Sequence, residues 1–242
     1  MHATYIRYEL LRNVRNWRFI VFSLAYPVVL YFVITSPQRH ATFDGVAFPL
    51  YFMAGMAAVG TMIAVLSSGA RIAVDRSVGW TRQLRLTPLT AAEHLGAKVV
   101  CGFAMALLVI VLVSLSGTAL GVSLSAGAWA TMIGLMLVGL IPITVLGILL
   151  GHLLTPDSLA PAVGGTIMLL AVLGGAYGFL VAKSGVMFDV IKALPSYWLV
   201  QAGKTALSGG GWPAEAWIVI AAWTAVLIPL TVLVYRRDTS RV

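Results

Sequence analysis

Hydrophobic residues in this chain gather into long runs instead of alternating with polar ones. Lys, Arg, Asp and Glu are absent from residues 19–38, 45–70, 99–156, 158–182 and 216–235. A bilayer core of about 30 Å takes about 20 apolar helical residues, so four of these runs fit one crossing each. The run 99–156 is 58 residues long and suits two crossings, with Gly121-Val122-Ser123-Leu124-Ser125-Ala126-Gly127 as the turn between them. The pattern predicts an all-α membrane protein with six spans near 18–36, 47–70, 97–120, 129–153, 160–182 and 215–235.

Three segments outside the spans carry pattern of their own. At the N-terminus Ile6, Leu10, Val14 and Trp17 recur at helical spacing, with Arg7, Glu9, Arg12, Asn13, Arg15 and Asn16 mostly elsewhere on the wheel. This predicts an amphipathic helix along the membrane interface. In the loop 71–98, Gly79 interrupts a helical pattern, and Pro88 disfavours helix at Thr87. Thr90 and Glu93 have the spacing of a capping box that opens the helix into the third span. The expected product is a stiff, basic, two-part elbow. The stretch 194–204 reads as a short helix whose Tyr197 and Trp198 suit an aromatic belt, or a lid at the far membrane face.

Composition agrees with lipid as the main solvent. Hydrophobic residues make up 60% of the chain, charged residues 10%, and mean hydropathy is +0.96. A soluble chain averages about 25% charged residues, so a water-soluble enzyme and a disordered chain are both excluded. The net charge of +8 is distributed by side. Twelve Lys and Arg fall in the N-terminal segment, the 71–98 loop and the C-terminal tail, and four on the opposite side. The positive-inside rule then puts both termini and the loop in the cytoplasm of a plasma-membrane protein. This sorting leaves no case for nucleic acid. A cleaved signal peptide is disfavoured by the long N-terminal segment and the full-length first run.

Chemistry is sparse. Gly203-Lys204-Thr205 lacks the upstream glycine of a phosphate-binding loop, since position 198 is Trp. His2, His40, His94 and His152 are scattered, and Cys101 is the sole cysteine, so no metal site is expected. All eight acidic residues fall at or outside the expected span ends, which leaves no intramembrane carboxylate for a proton- or sodium-driven carrier. The paired small residues Gly117 and Gly121, Gly147 and Gly151, and Gly174 and Gly178 predict close helix packing, and Pro27, Pro142 and Pro229 predict kinks.

Asp75-Arg76, Gly79, Leu84, Thr87-Pro88 and Lys98, set between spans two and three, resemble the pattern of the ABC-2 family of transporter membrane subunits. The resemblance extends along the chain to the interfacial helix, the Pro195-Ser196-Tyr197-Trp198 helix before the last span and the Arg236-Arg237 tail, while Trp80 departs from it. It implies a single ABC-2 type transmembrane domain over 1–242, the permease of an ATP-driven exporter for a lipophilic or amphipathic compound. The chain itself would not be an enzyme. A separate nucleotide-binding subunit would hold ATP and Mg, and a second permease copy would complete a homodimer. Asp75, Arg76, Gly79, Trp80, Arg82, Leu84, Arg85, Thr87 and Pro88 would form the coupling helix. Phe52, Met53, Met56 and Met62 on span two, with Met168, Tyr177 and Phe179 on span five, would line the substrate path. A membrane-embedded lipid enzyme, built on His152 with Asp157 or Glu93 with His94, is the alternative, as is a scaffold without a transport cycle.

Overall fold

The computed structural model describes residues 2–43, 45–79, 91–177, 184–207 and 210–239. Helix follows from the solvent: in hydrocarbon every backbone N–H and C=O must be satisfied within the segment, which a continuous apolar run does only as a helix. Helix α1 (His2–Val14) precedes the first span, Val21–Gln38. The short α2 (Trp17–Ile20) leads into that span, which is assembled from a π-helical turn (Val21–Ala25), α3 (Tyr26–Thr35) and a closing 3-10 turn. The π turn sits just before Pro27, whose missing N–H and bulky ring disturb the α-helical ladder at the expected position. A two-residue hairpin, Thr42–Phe43 with Val46–Ala47, leads into α4 (Phe48–Ala70). Beyond Arg71 comes the short α5 (Ile72–Ser77).

The remaining spans are α6 (Ala91–Ala119), α7 (Ala126–Leu153), α8 (Pro156–Leu173) and α11 (Ala214–Thr239). The predicted turn between spans three and four is present: Val122 N–H bonds back to Gly117 O, and Ser125 Oγ caps α7 by accepting from Ala128 N–H. Six helices are thus long and apolar enough to cross a membrane, near the six expected intervals. The chain is an all-α, multi-pass membrane protein.

Helix α4 is the axis of the bundle. Its span is 89% buried, against 22% for the first span, 11% for α8 and 17% for α11. It packs along α6 on one side and α7 on the other. The α4–α7 crossing is close because glycine faces glycine: a Cβ on Gly151 would lie 2.5 Å from Gly69 O, and one on Gly147 would lie 2.9 Å from Leu66 Cα. The expected close approach of Gly147 and Gly151 is therefore met by α4, backbone against backbone.

Between α8 and α11 lie α9 (Val186–Lys192) and α10 (Pro195–Leu207). Helix α10 occupies the place expected of the 194–204 helix, but Ser196 through Val200 are buried against α7 and α4. Tyr197 and Trp198 therefore do not serve as an exposed aromatic belt. Trp198 Nε1–H donates to Lys192 O at 2.8 Å, which satisfies its polar end inside the protein.

The two ends of the bundle differ. One end gathers α1, α5, the start of α6, the end of α7 and the end of α11, where Tyr235 meets the His152 ring edge-on. The other end gathers the hairpin, with Phe43 against Tyr51, the Lys204 ammonium over the Tyr51 ring, and the Lys192–Glu215 ion pair at 3.0 Å. The three basic segments picked out by charge counting thus share one end.

Candidate functional site

The elbow begins as a near-continuation of the central helix. Only Arg71 separates α4 from α5, and the helical ladder bridges it, with Arg71 N–H bonded to Ser67 O and Asp75 N–H to Arg71 O. Helix α5 stops where Gly79 takes φ +72°, a left-handed conformation that side-chain-bearing residues adopt at a cost of about 1–2 kcal/mol. The interruption expected at Gly79 is therefore a helix stop.

Asp75 and Arg76 point to different helices. The Asp75 carboxylate, 3% exposed, accepts from Arg12 Nη2 of α1 at 2.7 Å on Oδ1 and faces Lys98 Nζ of α6 at 2.7 Å on Oδ2. Lys98, itself 1% exposed, also pairs with Glu9 of α1, and Glu9 Oε2 lies 3.7 Å from Arg12 Nη1. Glu9, Arg12, Asp75 and Lys98 thus form a closed ring of alternating charge joining α1, the elbow and the third span. Burial opposes the charge on Arg12, but the hydrogen bond and charge of Asp75, reinforced by Glu9, hold its proton more firmly than usual. Arg76 Nη1 donates to His152 O at 2.6 Å and Gly151 O at 3.3 Å. These are terminal carbonyls of α7, where the helix dipole favours a cation.

A polar shell surrounds the ring. Arg71 Nη1 donates to Asn13 Oδ1, Tyr5 Oη lies 2.8 Å from His94 Nδ1, and Ser68 Oγ donates to Lys98 O at 2.9 Å. Cys101 Sγ, fully buried, sits 3.8 Å from Ile6 O. These contacts give α1 a buried polar face that the pattern did not anticipate. Glu9 and Asn13 are buried against α5 and α6, Ile6 and Leu10 are half-buried, and Trp17, which leads into the first span, is 68% exposed. Lys98 and Arg71 on the opposing helices need partners, and a buried charge left unpaired would be strongly destabilising.

Of the predicted elbow residues, Asp75, Arg76 and Gly79 occupy the positions just described. Trp80, Arg82, Leu84, Arg85, Thr87 and Pro88 lie outside the described residues. Among the residues expected along a substrate path, Phe52, Met53, Met56 and Met62 are buried within the subunit. Phe52 stacks between Phe48 and Tyr31, and Met53 fills the notch left by Gly117 of α6. Met168 on α8 is 64% exposed, Tyr177 lies with its hydroxyl 3.5 Å from that of Tyr26, and Phe179 is outside the described residues. The α4 group is thus enclosed, whereas Met168 faces outward. Glu9, Arg12, Asn13 and Arg71 are site residues that pattern reading passed over. The available signal was Tyr5, Glu9 and Asn13 at spacing four, a polar stripe on a helix otherwise read by its apolar residues.

The geometry defines a class: a six-span α-helical membrane protein whose basic end is built around a buried charge ring. No family model matches the chain. Over 235 residues, 96% of either chain, it is 26% identical to a Bacillus subtilis (strain 168) protein named "Putative transport permease YvfS".

Proposed function

We propose that this chain is the ABC-2 type permease subunit of an ATP-driven exporter. Both termini and the elbow face the cytoplasm, and the compound moved outward is lipophilic or amphipathic. The observation that carries this reading is the anchoring of the elbow. Asp75 holds it to α1 and α6, Arg76 holds it to the end of α7, and α5 continues the ladder of the central helix. A push on such an elbow reaches α4, and through α4 the helices packed on it. Similarity to a named transport permease along 96% of the chain supports the same assignment. Energy comes from a separate ATPase that binds ATP and Mg and seats residues 75–88 in a groove. A second permease copy completes the pathway, bringing the α8 surface that carries Met168 to the seam between copies.

The test is co-expression with candidate nucleotide-binding ATPase subunits from the same genome, followed by affinity purification through the permease and reconstitution into proteoliposomes. The expected result is a stable complex whose ATP hydrolysis responds to lipophilic compounds and falls when Asp75 becomes Asn. Failure of any ATPase to co-purify, or hydrolysis indifferent to Asp75, would sink the proposal.

A further inference from the structure

The ring turns the acidic residue of α1 inward, and this defines what the outer face of that helix can bind. Glu9 is the one carboxylate in residues 1–18, and it is consumed by Lys98 and Arg12. Arg7, Leu11 and Arg15 follow one another at spacing four, so they form one stripe, and all three are exposed. Beside them stand Tyr8 at 66% exposure and Trp17, which leads into the first span. Among the described side chains this face carries cations and apolar or aromatic groups and no acid. The backbone runs from α1 through Asn16 straight into the first span, so assigning α1 to the membrane interface brings the stripe to headgroup depth.

We propose that the outward face of α1 is a docking surface for the headgroups of anionic phospholipids, with Arg7 and Arg15 contacting phosphate and Tyr8, Leu11 and Trp17 seated among the upper acyl carbons. Charge complementarity favours this occupant. A lipid surface of negative potential attracts cations at headgroup depth, and guanidinium binds phosphate in bidentate fashion. A zwitterionic lipid has no net charge to match the arginines. Because the inner face of α1 is tied to Asp75 and Lys98, lipid charge at this surface bears on the placement of the elbow. The proposal shares with the preceding one the assignment of α1 to a membrane interface. It does not need the ATPase, and symmetric bilayers make the test independent of orientation.

The full-length chain is reconstituted into symmetric bilayers of equal phosphatidylcholine and phosphatidylglycerol, extracted into mild detergent, and the retained lipid is quantified. Phosphatidylglycerol should be enriched, and the enrichment should weaken as salt rises. Arg7→Gln and Arg15→Gln should each reduce it about fivefold, the factor corresponding to about 1 kcal/mol per cationic side chain. Arg7→Lys with Arg15→Lys should retain most of it, and Lys192→Gln at the other end should leave it unchanged. Both arginines are exposed, so folding is not at stake, and the salt series on the unmodified chain needs no variant. Enrichment that survives the double glutamine variant, or that falls equally with Lys192→Gln, overturns the proposal. Disulfide-linked dimers formed by Leu11→Cys in the membrane would overturn it in favour of a second copy on this face.

Discussion

Replacing Lys98 with Met tests whether the ring is an electrostatic unit. Lys98 is 1% exposed between Asp75 at 3% and Glu9 at 4%, so the change leaves two buried carboxylates facing each other. Arg12, which is 42% exposed, and the neighbouring Arg71 would remain to balance them. At an effective dielectric near 20, an ion pair at 2.7 Å is worth about 6 kcal/mol of attraction, and desolvation takes back several kcal/mol per ion. The intact ring therefore lies near break-even, but breaking it by removing one member should cost about 3–5 kcal/mol. For a chain of this size that lowers the melting temperature by on the order of 10 °C. The assay is thermal unfolding in mild detergent, followed by tryptophan fluorescence, within a double-mutant cycle of Lys98→Met and Glu9→Gln. The double variant should be more stable than the sum of the single losses implies, because Glu9→Gln removes one of the stranded charges. Melting of Lys98→Met within a degree or two of the parent, or strict additivity in the cycle, would refute the reasoning.

Three further outcomes follow from the packing. Gly147→Ala and Gly151→Ala should each destabilise by about 1–3 kcal/mol, since the added methyl meets the α4 backbone, whereas Gly134→Ala, with open space around it, should be neutral or stabilising; melting curves of the three decide it. Arg76→Gln should cost about 1–2 kcal/mol by withdrawing the cation from the end of α7, with Arg76→Lys intermediate, and cysteine accessibility at residue 154 should rise in step. Gly79→Ala should leave the bundle intact, because no atom of the described residues crowds that position, yet strain the helix stop by about 1 kcal/mol; unchanged proteolysis of the spans with altered cleavage near residue 79 is the expected result.

The spans were legible in the sequence because hydrocarbon imposes a one-dimensional rule: about twenty residues without charge must form a helix. The stop at Gly79 and the turn at 121–127 were legible for a similar reason, since each depends on local backbone geometry; of the small-residue pairs, Gly147 and Gly151 do meet a neighbouring helix, whereas Gly121 lies in the turn with open space around it and Gly178 is outside the described residues. Which helix becomes the axis was not legible, because the enclosed α4 is the less apolar of α4 and α6, and only packing places it at the centre. The direction of α10 was misread for the same reason. An amphipathic helix with Tyr and Trp suits an interface, and only the cleft among α4, α7 and α8 turned those rings inward.

The sequence by itself determined the solvent, the number of crossings, the segregation of basic segments to one end and the helix stop at Gly79, all of which depend on residues near one another in the chain. The tertiary structure alone decided that Glu9 and Arg12 belong with Asp75 and Lys98. Glu9 and Lys98 are 89 positions apart, and Arg12 and Asp75 are 63. Pairing at such distances is invisible to periodicity, and it fixes the buried face of α1 because a buried ammonium without a carboxylate is strongly destabilising.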